Sequence, residues 1–319
     1  MVSLALLFSP QGSQSVGMGR ELAARSSAAR AVYAAADATL GWPVSALCWE
    51  GPAERLDDTQ QTQPCLLTTS LACAAALEQA VGEPLAPAFV AGHSVGEYAA
   101  VVAAGVLELS DALRMVVLRG QLMSGQSGSD GMAAVIGLDR DVVQAAVEAV
   151  AGPTELVVAN DNAPGQIVIS GSLAAIERAR RLLQERGARR VIRLNVSGAF
   201  HSPHMAPVAE ALADAFGDLE WRDADPPLMS NVTAEPVVDG DRVRNLLAEQ
   251  VRSPVEWVAS MRRLVDEGVD TFIECGPGSA LVGMLKRIAP RARTMAVNDA
   301  QTLAAAAAEL SRGSVGAGA

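Results

Sequence analysis

The stretch "AGHSVGEYAA", residues 91–100, sets a serine between two glycines with a histidine directly before it. Ala88–Gly92 is short and apolar, and Gly96–Gly105 has the composition of a helix. Strand, sharp turn and helix make up the context in which a G-x-S-x-G sequence forms a nucleophile elbow, with the serine hydroxyl lifted to the top of a sheet. Ser94 is therefore a candidate nucleophile, and the segment around it predicts an α/β architecture.

Outward from this turn, Val2–Phe8 is a continuous apolar run that ends in a Gly/Ser/Gln loop, as expected of a central strand. Pro64–Ala80, "PCLLTTSLACAAALEQA", predicts a long helix with proline at its start. Ser110 is the expected N-cap of the helix that carries "DALRMVVLRGQLM". Residues 124–131, "SGQSGSDG", contain no core-forming side chain and mark the place where the chain leaves one domain. The chain beyond them has its own rhythm: strand "MAAVIGL", helix Asp139–Val150, strands "ELVVAN" and "QIVISG", helix Ser172–Arg186, strand "RRVIRLNV". That βαββαβ order is ferredoxin-like. Residues 127–197 are thus expected to form a small inserted subdomain. Residues 1–126 and 198–312 would form a discontinuous large α/β subdomain around a parallel central sheet, and 313–319 a disordered tail.

A chain of 319 residues can bury a sizeable core. Half its residues are hydrophobic but only 3% are aromatic, so alanine, valine and leucine must fill the interior. A formal charge of −11 argues against nucleic acid as a partner, because phosphates need a basic surface. Cys48, Cys65, Cys73 and Cys275 form no CxxC pair and have no nearby histidine, which speaks for free buried thiols rather than a metal site. The start, "MVSLALLF", lacks a basic lead and reads as a strand rather than a signal peptide. The apolar run "YAAVVAAGVL" is stopped by Glu108, too short to cross a bilayer. The composition predicts a soluble, cytoplasmic protein, and nothing in it demands more than a monomer.

A serine hydroxyl attacks poorly until a base takes its proton. Three histidines are available. His93 precedes Ser94 on a strand or tight turn, so its ring should project away from the hydroxyl. His201 and His204 both lie in "SGAFHSPHM", just after the predicted insertion, and the residues alone leave both open. The backbone N–H of Val95 is a ready oxyanion donor, being next after the nucleophile. A second donor is expected from the loop "SPQGSQ", which comes after the first strand and lies at the same end of the sheet.

The segments "QGSQSVGMG", "TQP", "AGHSVGEYAA", "LRGQLM", "VANDNAPGQIVISG", "GAFHSPHM", "LAEQVRSPVEW" and "FIECGPGSALVGMLKRI" occur in that order from residue 11 to residue 288. Together they resemble the malonyl-CoA:acyl-carrier-protein transacylases and the related acyltransferases of polyketide synthases. The resemblance implies a hydrolase-like α/β subdomain with a ferredoxin-like insertion. It also implies transfer of a malonyl group from malonyl-CoA to an acyl carrier protein, with no cofactor. By position it makes Ser94 the acylated nucleophile, His201 the base, and Arg119 the holder of the free malonyl carboxylate. Gln11 and Val95 become the oxyanion donors, and Gln250 the residue whose backbone carbonyl orients the histidine. Gln63, His93 and Asn160 line the pocket.

Phe200, next to the base, resembles the "-AFH" pattern that goes with malonyl rather than methylmalonyl units, where a ring leaves little room for an α-branch. In one place this chain departs from the family. Where relatives read F-P-G-Q-G-S-Q, it has "FSPQGSQ", Phe8–Gln14, which puts Pro10 before Gln11. Proline fixes φ and lacks an N–H, but Gln11 keeps its own. An acidic carrier protein would need a local cationic surface, for which Arg189, Arg190, Lys286 and Arg287 are candidates. Two other functions compete with this one: a hydrolase that clears acyl thioesters from carriers, and a transferase for an α-substituted malonyl unit.

Overall fold

The computed structural model describes residues 3–125, 128–196 and 198–315. Ten strands lie among these residues: β1 (Leu4–Phe8), β2 (Phe89–Gly92), β3 (Asp130–Ile136), β4 (Leu156–Ala163) and β5 (Gln166–Ser172), then β6 (Arg190–Arg193), β7 (Leu228–Met229), β8 (Pro236–Val237), β9 (Thr271–Cys275) and β10 (Arg293–Val297). They form a six-stranded sheet in the order β10-β9-β1-β2-β7-β8 and a four-stranded sheet in the order β4-β5-β3-β6.

In the larger sheet every neighbouring pair is parallel except β7 and β8. The sheet is therefore mixed at one edge. β1 lies at its centre with both faces covered, and this accounts for its unbroken apolar run. Leu4, Leu6 and Phe8 point into the main core under the long helices. Ala5 and Leu7 point the other way, into a cluster with Trp257, Met261 and Phe272.

The smaller sheet is antiparallel. Ala133, Val135, Ile167 and Ile169 pack under the helices Arg140–Val150 and Leu173–Glu185. Met132, Ala159 and Val168, on the opposite face, join the core of the larger part. One side of this sheet thus closes over the other half of the molecule. The contact is also made by backbone: Asp161 N–H donates to Val255 O (3.0 Å) and Val255 N–H to Ala159 O (2.8 Å). Arg140 adds an ion pair to Glu256 beside that junction.

Several local expectations change. The helix expected at Pro64 starts at Thr59, capped by Asp58, whose side chain accepts from Gln60 N–H. Pro64 lies inside it, where burial of Thr62, Gln63 and Cys65 on the same turns holds the helix together. This helix, Thr59–Val81, is long and apolar enough to span a membrane, yet fifteen of its side chains are buried in the core. Glu108 rather than Ser110 takes the N-cap position of the helix Leu109–Ser124, and its side chain pairs with Arg222. Four helices, Arg20–Arg25, Ser27–Leu40, Val44–Glu50 and Ala53–Leu56, fill a stretch to which the sequence pattern assigns nothing. The last helix, Ala300–Val315, runs into the segment expected to be a disordered tail, and residues 316–319 lie outside the described residues. So do residues 126, 127 and 197, on which the expected subdomain boundaries fall.

Candidate active site

β2 ends at Gly92 and a helix begins at Gly96, leaving three residues to reverse direction. Ser94 makes the turn with φ 53°, in the left-handed region that side chains rarely adopt. Both flanking glycines are required sterically. A Cβ on Gly92 would sit 2.0 Å from the Gly96 carbonyl carbon, and one on Gly96 would sit 2.2 Å from Phe8 O. Asn231, just after β7, clamps the turn from the side. Its Oδ1 accepts Ser94 N–H (2.8 Å) and its Nδ2 donates to Gly92 O (2.7 Å).

Of the two histidines left open, the structure brings His201 to Ser94, with Nε2 2.8 Å from Oγ. His201 Nδ1 faces two carbonyls, Gln250 O at 2.9 Å and Ser253 O at 3.2 Å. Carbonyls only accept, so the ring proton is on Nδ1 and Nε2 is left to accept the serine proton. Burial, helped by the charge of Arg119, pushes the His201 pKa down to about 3, while the two carbonyl bonds oppose this. At neutral pH the ring is an unprotonated base. His204 instead bonds Asp130 on β3 at 2.9 Å.

Arg119 is buried, at 0% exposure. Its helix can approach Thr59–Val81 closely because residue 120 is glycine, where a Cβ would lie 2.9 Å from Gln60 Cα. That approach sets Arg119 Nη1 on Gln63 Oε1 (2.9 Å). Nη2 donates to Gln250 Oε1 (3.0 Å) and to Ser94 Oγ (3.1 Å), and among the described residues Nε meets no hydrogen-bond acceptor. Ser94 Oγ thus lies between a neutral base and a cation, which together favour loss of its proton.

A cavity of about 420 Å³ opens above the serine, lined among others by Pro10, Gln11, His93, Asn160, Phe200 and His201. Met132, Val168 and Leu194 of the smaller sheet's region supply its apolar wall. Arg119, Gln63, Val95 and Gln250 are not on the wall but directly behind it, all fully or almost fully buried. His93, expected to project away from the hydroxyl, has its Nε2 2.7 Å from Asn162 Oδ1. Burial pushes its pKa down to about 4. Gln11 sits at the wall with its side chain on Thr59 Oγ1 (3.2 Å). Among the described residues, the N–H groups of Gln11 and Val95 meet no protein acceptor.

Three participants escape the sequence reading. Asn231, Asn162 and Glu97 carry no motif of their own as a nucleophile or base would. Glu97 alone has a visible signal, as a carboxylate three residues after Ser94 in the first turn of an otherwise apolar helix.

The acyl transferase domain family matches residues 5–306 of this chain. The chain belongs to the malonyl-CoA:acyl-carrier-protein transacylase family. It is 44% identical over 306 residues to the malonyl CoA-acyl carrier protein transacylase of Bacillus subtilis (strain 168), covering 95% of this chain and 96% of that one. The acyl-carrier-protein S-malonyltransferase of Burkholderia pseudomallei 1710b superposes with a TM-score of 0.93 at 36% identity, over 96% of this chain and 100% of that one. A malonyl-transacylase solved in complex with its type II polyketide synthase acyl carrier protein gives 0.92 at 36% identity, over 96% and 99%.

The four cationic candidates on the surface are all exposed. Arg189 and Arg287 converge. A Cβ on Gly137 would touch Arg189 Nε at 2.8 Å, one on Gly165 would lie 3.4 Å from Arg287 Nη2, and Gly137 N–H bonds Gly165 O at 2.9 Å. Arg190 is next, on β6, and Lys286 is beside Arg287 in the helix Ala280–Ile288.

The elbow is the most sterically restricted part of the site. Gly96→Ala should therefore destabilise the fold by at least about 2 kcal/mol in chemical denaturation and abolish acylation of Ser94. A variant of unchanged stability and activity would show that the turn has room to spare.

Proposed function

We propose that the site performs a two-step malonyl transfer through an ester on Ser94. In the first step Ser94 Oγ bonds to the thioester carbonyl carbon of malonyl-CoA as its proton passes to His201 Nε2. The tetrahedral oxyanion takes the N–H groups of Val95 and Gln11, each contributing roughly 3–4 kcal/mol. On collapse the carbon–sulfur bond breaks, His201 returns the proton to the CoA thiol, and malonyl-Ser94 remains. In the second step the phosphopantetheine thiol of an acyl carrier protein gives its proton to His201 and attacks the ester. The thioester forms anew on the carrier, and Ser94 recovers its hydroxyl. Gln250 contributes its backbone carbonyl, which holds the His201 ring in the tautomer this sequence of steps needs.

The observation that carries this reading is a buried guanidinium 3.1 Å from the nucleophile oxygen. A planar fork of donors suits a carboxylate better than any other group. A malonyl unit esterified to Ser94 has its carboxylate within reach of that fork, whereas an acyl group without a charge gains nothing from a desolvated cation. This favours transfer of dicarboxylic acyl groups over a general thioesterase. Phe200 and the methionines of the cavity narrow the space beside the acyl α-carbon, in keeping with an unbranched malonyl unit. The four free, buried thiols suit a reducing cytoplasm. For the carrier we propose docking on Arg189, Arg190, Lys286 and Arg287.

Arg119→Ala should cost about 2–5 kcal/mol in kcat/KM toward malonyl-CoA, because it strands the substrate carboxylate in a buried site. Activity toward acetyl-CoA should hold or rise. Equal use of acetyl- and malonyl-CoA by the unaltered enzyme would contradict the assignment. Paired reversals Arg190→Glu and Arg287→Glu should raise the KM for the carrier far more than that for malonyl-CoA in steady-state assays. An unaltered carrier KM would remove this surface from consideration.

A further inference from the structure

Glu97 is a carboxylate at 2% exposure that touches neither Ser94 Oγ nor His201. Its two oxygens have separate tasks. Oε1 accepts the backbone N–H of Asn231 at 3.1 Å, and Oε2 accepts Gln250 Nε2 at 2.6 Å. Gln250, also fully buried, is the meeting point of the site. Its backbone carbonyl takes His201 Nδ1, its Nε2 also donates to Ser94 O (2.9 Å), and its Oε1 takes Arg119 Nη2 (3.0 Å). An amide side chain can face Arg119 with its oxygen or with its NH₂ group, and only the first is tolerable next to a guanidinium. An ionised carboxylate behind it accepts from both sides and so compels the NH₂ end toward Glu97. Glu97 is also the carboxylate whose field acts on the buried Arg119 charge.

We propose that Glu97 is a positioning residue that fixes the Gln250 amide with its oxygen toward Arg119 and thereby sets the preference for acyl groups ending in a carboxylate. This rests on the assignment of Arg119 given above. The substitution Glu97→Gln keeps the shape but introduces a donor between two donors. The backbone N–H of Asn231 cannot turn round, since its own side chain is clamped to Gly92 and Ser94. The conflict therefore falls on Gln250, which must rotate or present its NH₂ group to Arg119. The His201 contact is spared, because it is made by the Gln250 backbone.

Burial pushes the Glu97 carboxyl up to about 7, against the pull of Gln250, Asn231 and Arg119. Single-turnover acylation of the full chain is accordingly measured at pH 8, with malonyl-CoA and with acetyl-CoA, by quench and intact mass. For Glu97→Gln the malonyl-over-acetyl preference should fall at least about tenfold, the scale of one hydrogen bond to a charged group. Acetyl transfer to Ser94 should stay within about threefold. Gln250→Met removes the same amide from the other end and should lower the preference equally. Adding Glu97→Gln to it should lower the preference no further, since the two changes break one chain of contacts.

Rates that fall together with the preference intact would show Glu97 to be structural only, and a further drop in the double variant would show that it acts without Gln250. Either overturns the proposal. If Glu97→Gln does not fold, Gln250→Met decides: an unchanged preference overturns the proposal and a lost one supports it. Arg119→Ala is run in parallel. A preference untouched there defeats the assignment of Arg119 itself, whereas a preference lost there and kept in Glu97→Gln defeats this inference alone.

Discussion

A side chain held at positive φ inside a five-residue turn has few ways to be stable, and here the surroundings supply them. Gly92 and Gly96 leave the space in which Ser94 can turn, because a methyl group at either would collide with backbone at about 2 Å. Asn231 ties the two sides of the turn together with one amide. The turn can exist only where β2 lies beside both β1 and β7, since Phe8 O bounds it on one side and Asn231 comes after β7 on the other. Strand order is thus a condition of the site as well as of the core. The local strain is offset by packing on both faces of the sheet, where the alternating residues of β1 enter separate clusters.

The second constraint is electrostatic. A guanidinium without exposure and, among the described residues, without a direct carboxylate partner is costly, and a cluster of neutral oxygens from Gln63, Gln250 and Ser94 only partly replaces water. The same burial that disfavours this cation keeps His201 neutral and so able to accept a proton. Under the proposed role of Arg119, a carboxylate arriving there would be recognised chiefly by what it relieves. In the proposed mechanism selectivity and nucleophile activation then share one group, since Arg119 donates to Ser94 Oγ.

Much of this is legible in the sequence, for identifiable reasons. β1 and β2 are buried on both faces, so their apolar runs are continuous, and the elbow shows itself because only glycine fits at residues 92 and 96. The small antiparallel sheet is readable from alternation and from the polar stretch before it. The pairing of His201 with Ser94 is not, because 107 residues separate them and His204 lies in the same loop. Resemblance to a family singles out His201, and the distance of 2.8 Å then gives it a partner. Pro64 misleads because proline is common at helix starts, while here five residues before it are held helical by burial. The short helices of residues 20–56 escape the pattern, being alanine-rich or only a turn or two long. Asn231 supports the elbow from another element, and spacing along the chain carries no trace of that contact, while Glu97 shows only as a carboxylate in the first turn of an otherwise apolar helix.

The proposed transfer passes through a covalent malonyl group on one particular oxygen, Ser94 Oγ. Intact-mass measurement after mixing the protein with malonyl-CoA, followed by peptide mapping, tests this directly. One malonyl group per chain on Ser94, discharged on adding a phosphopantetheinylated carrier protein and absent from Ser94→Ala, is the predicted result. An adduct elsewhere, or transfer to the carrier that persists in Ser94→Ala, would contradict it.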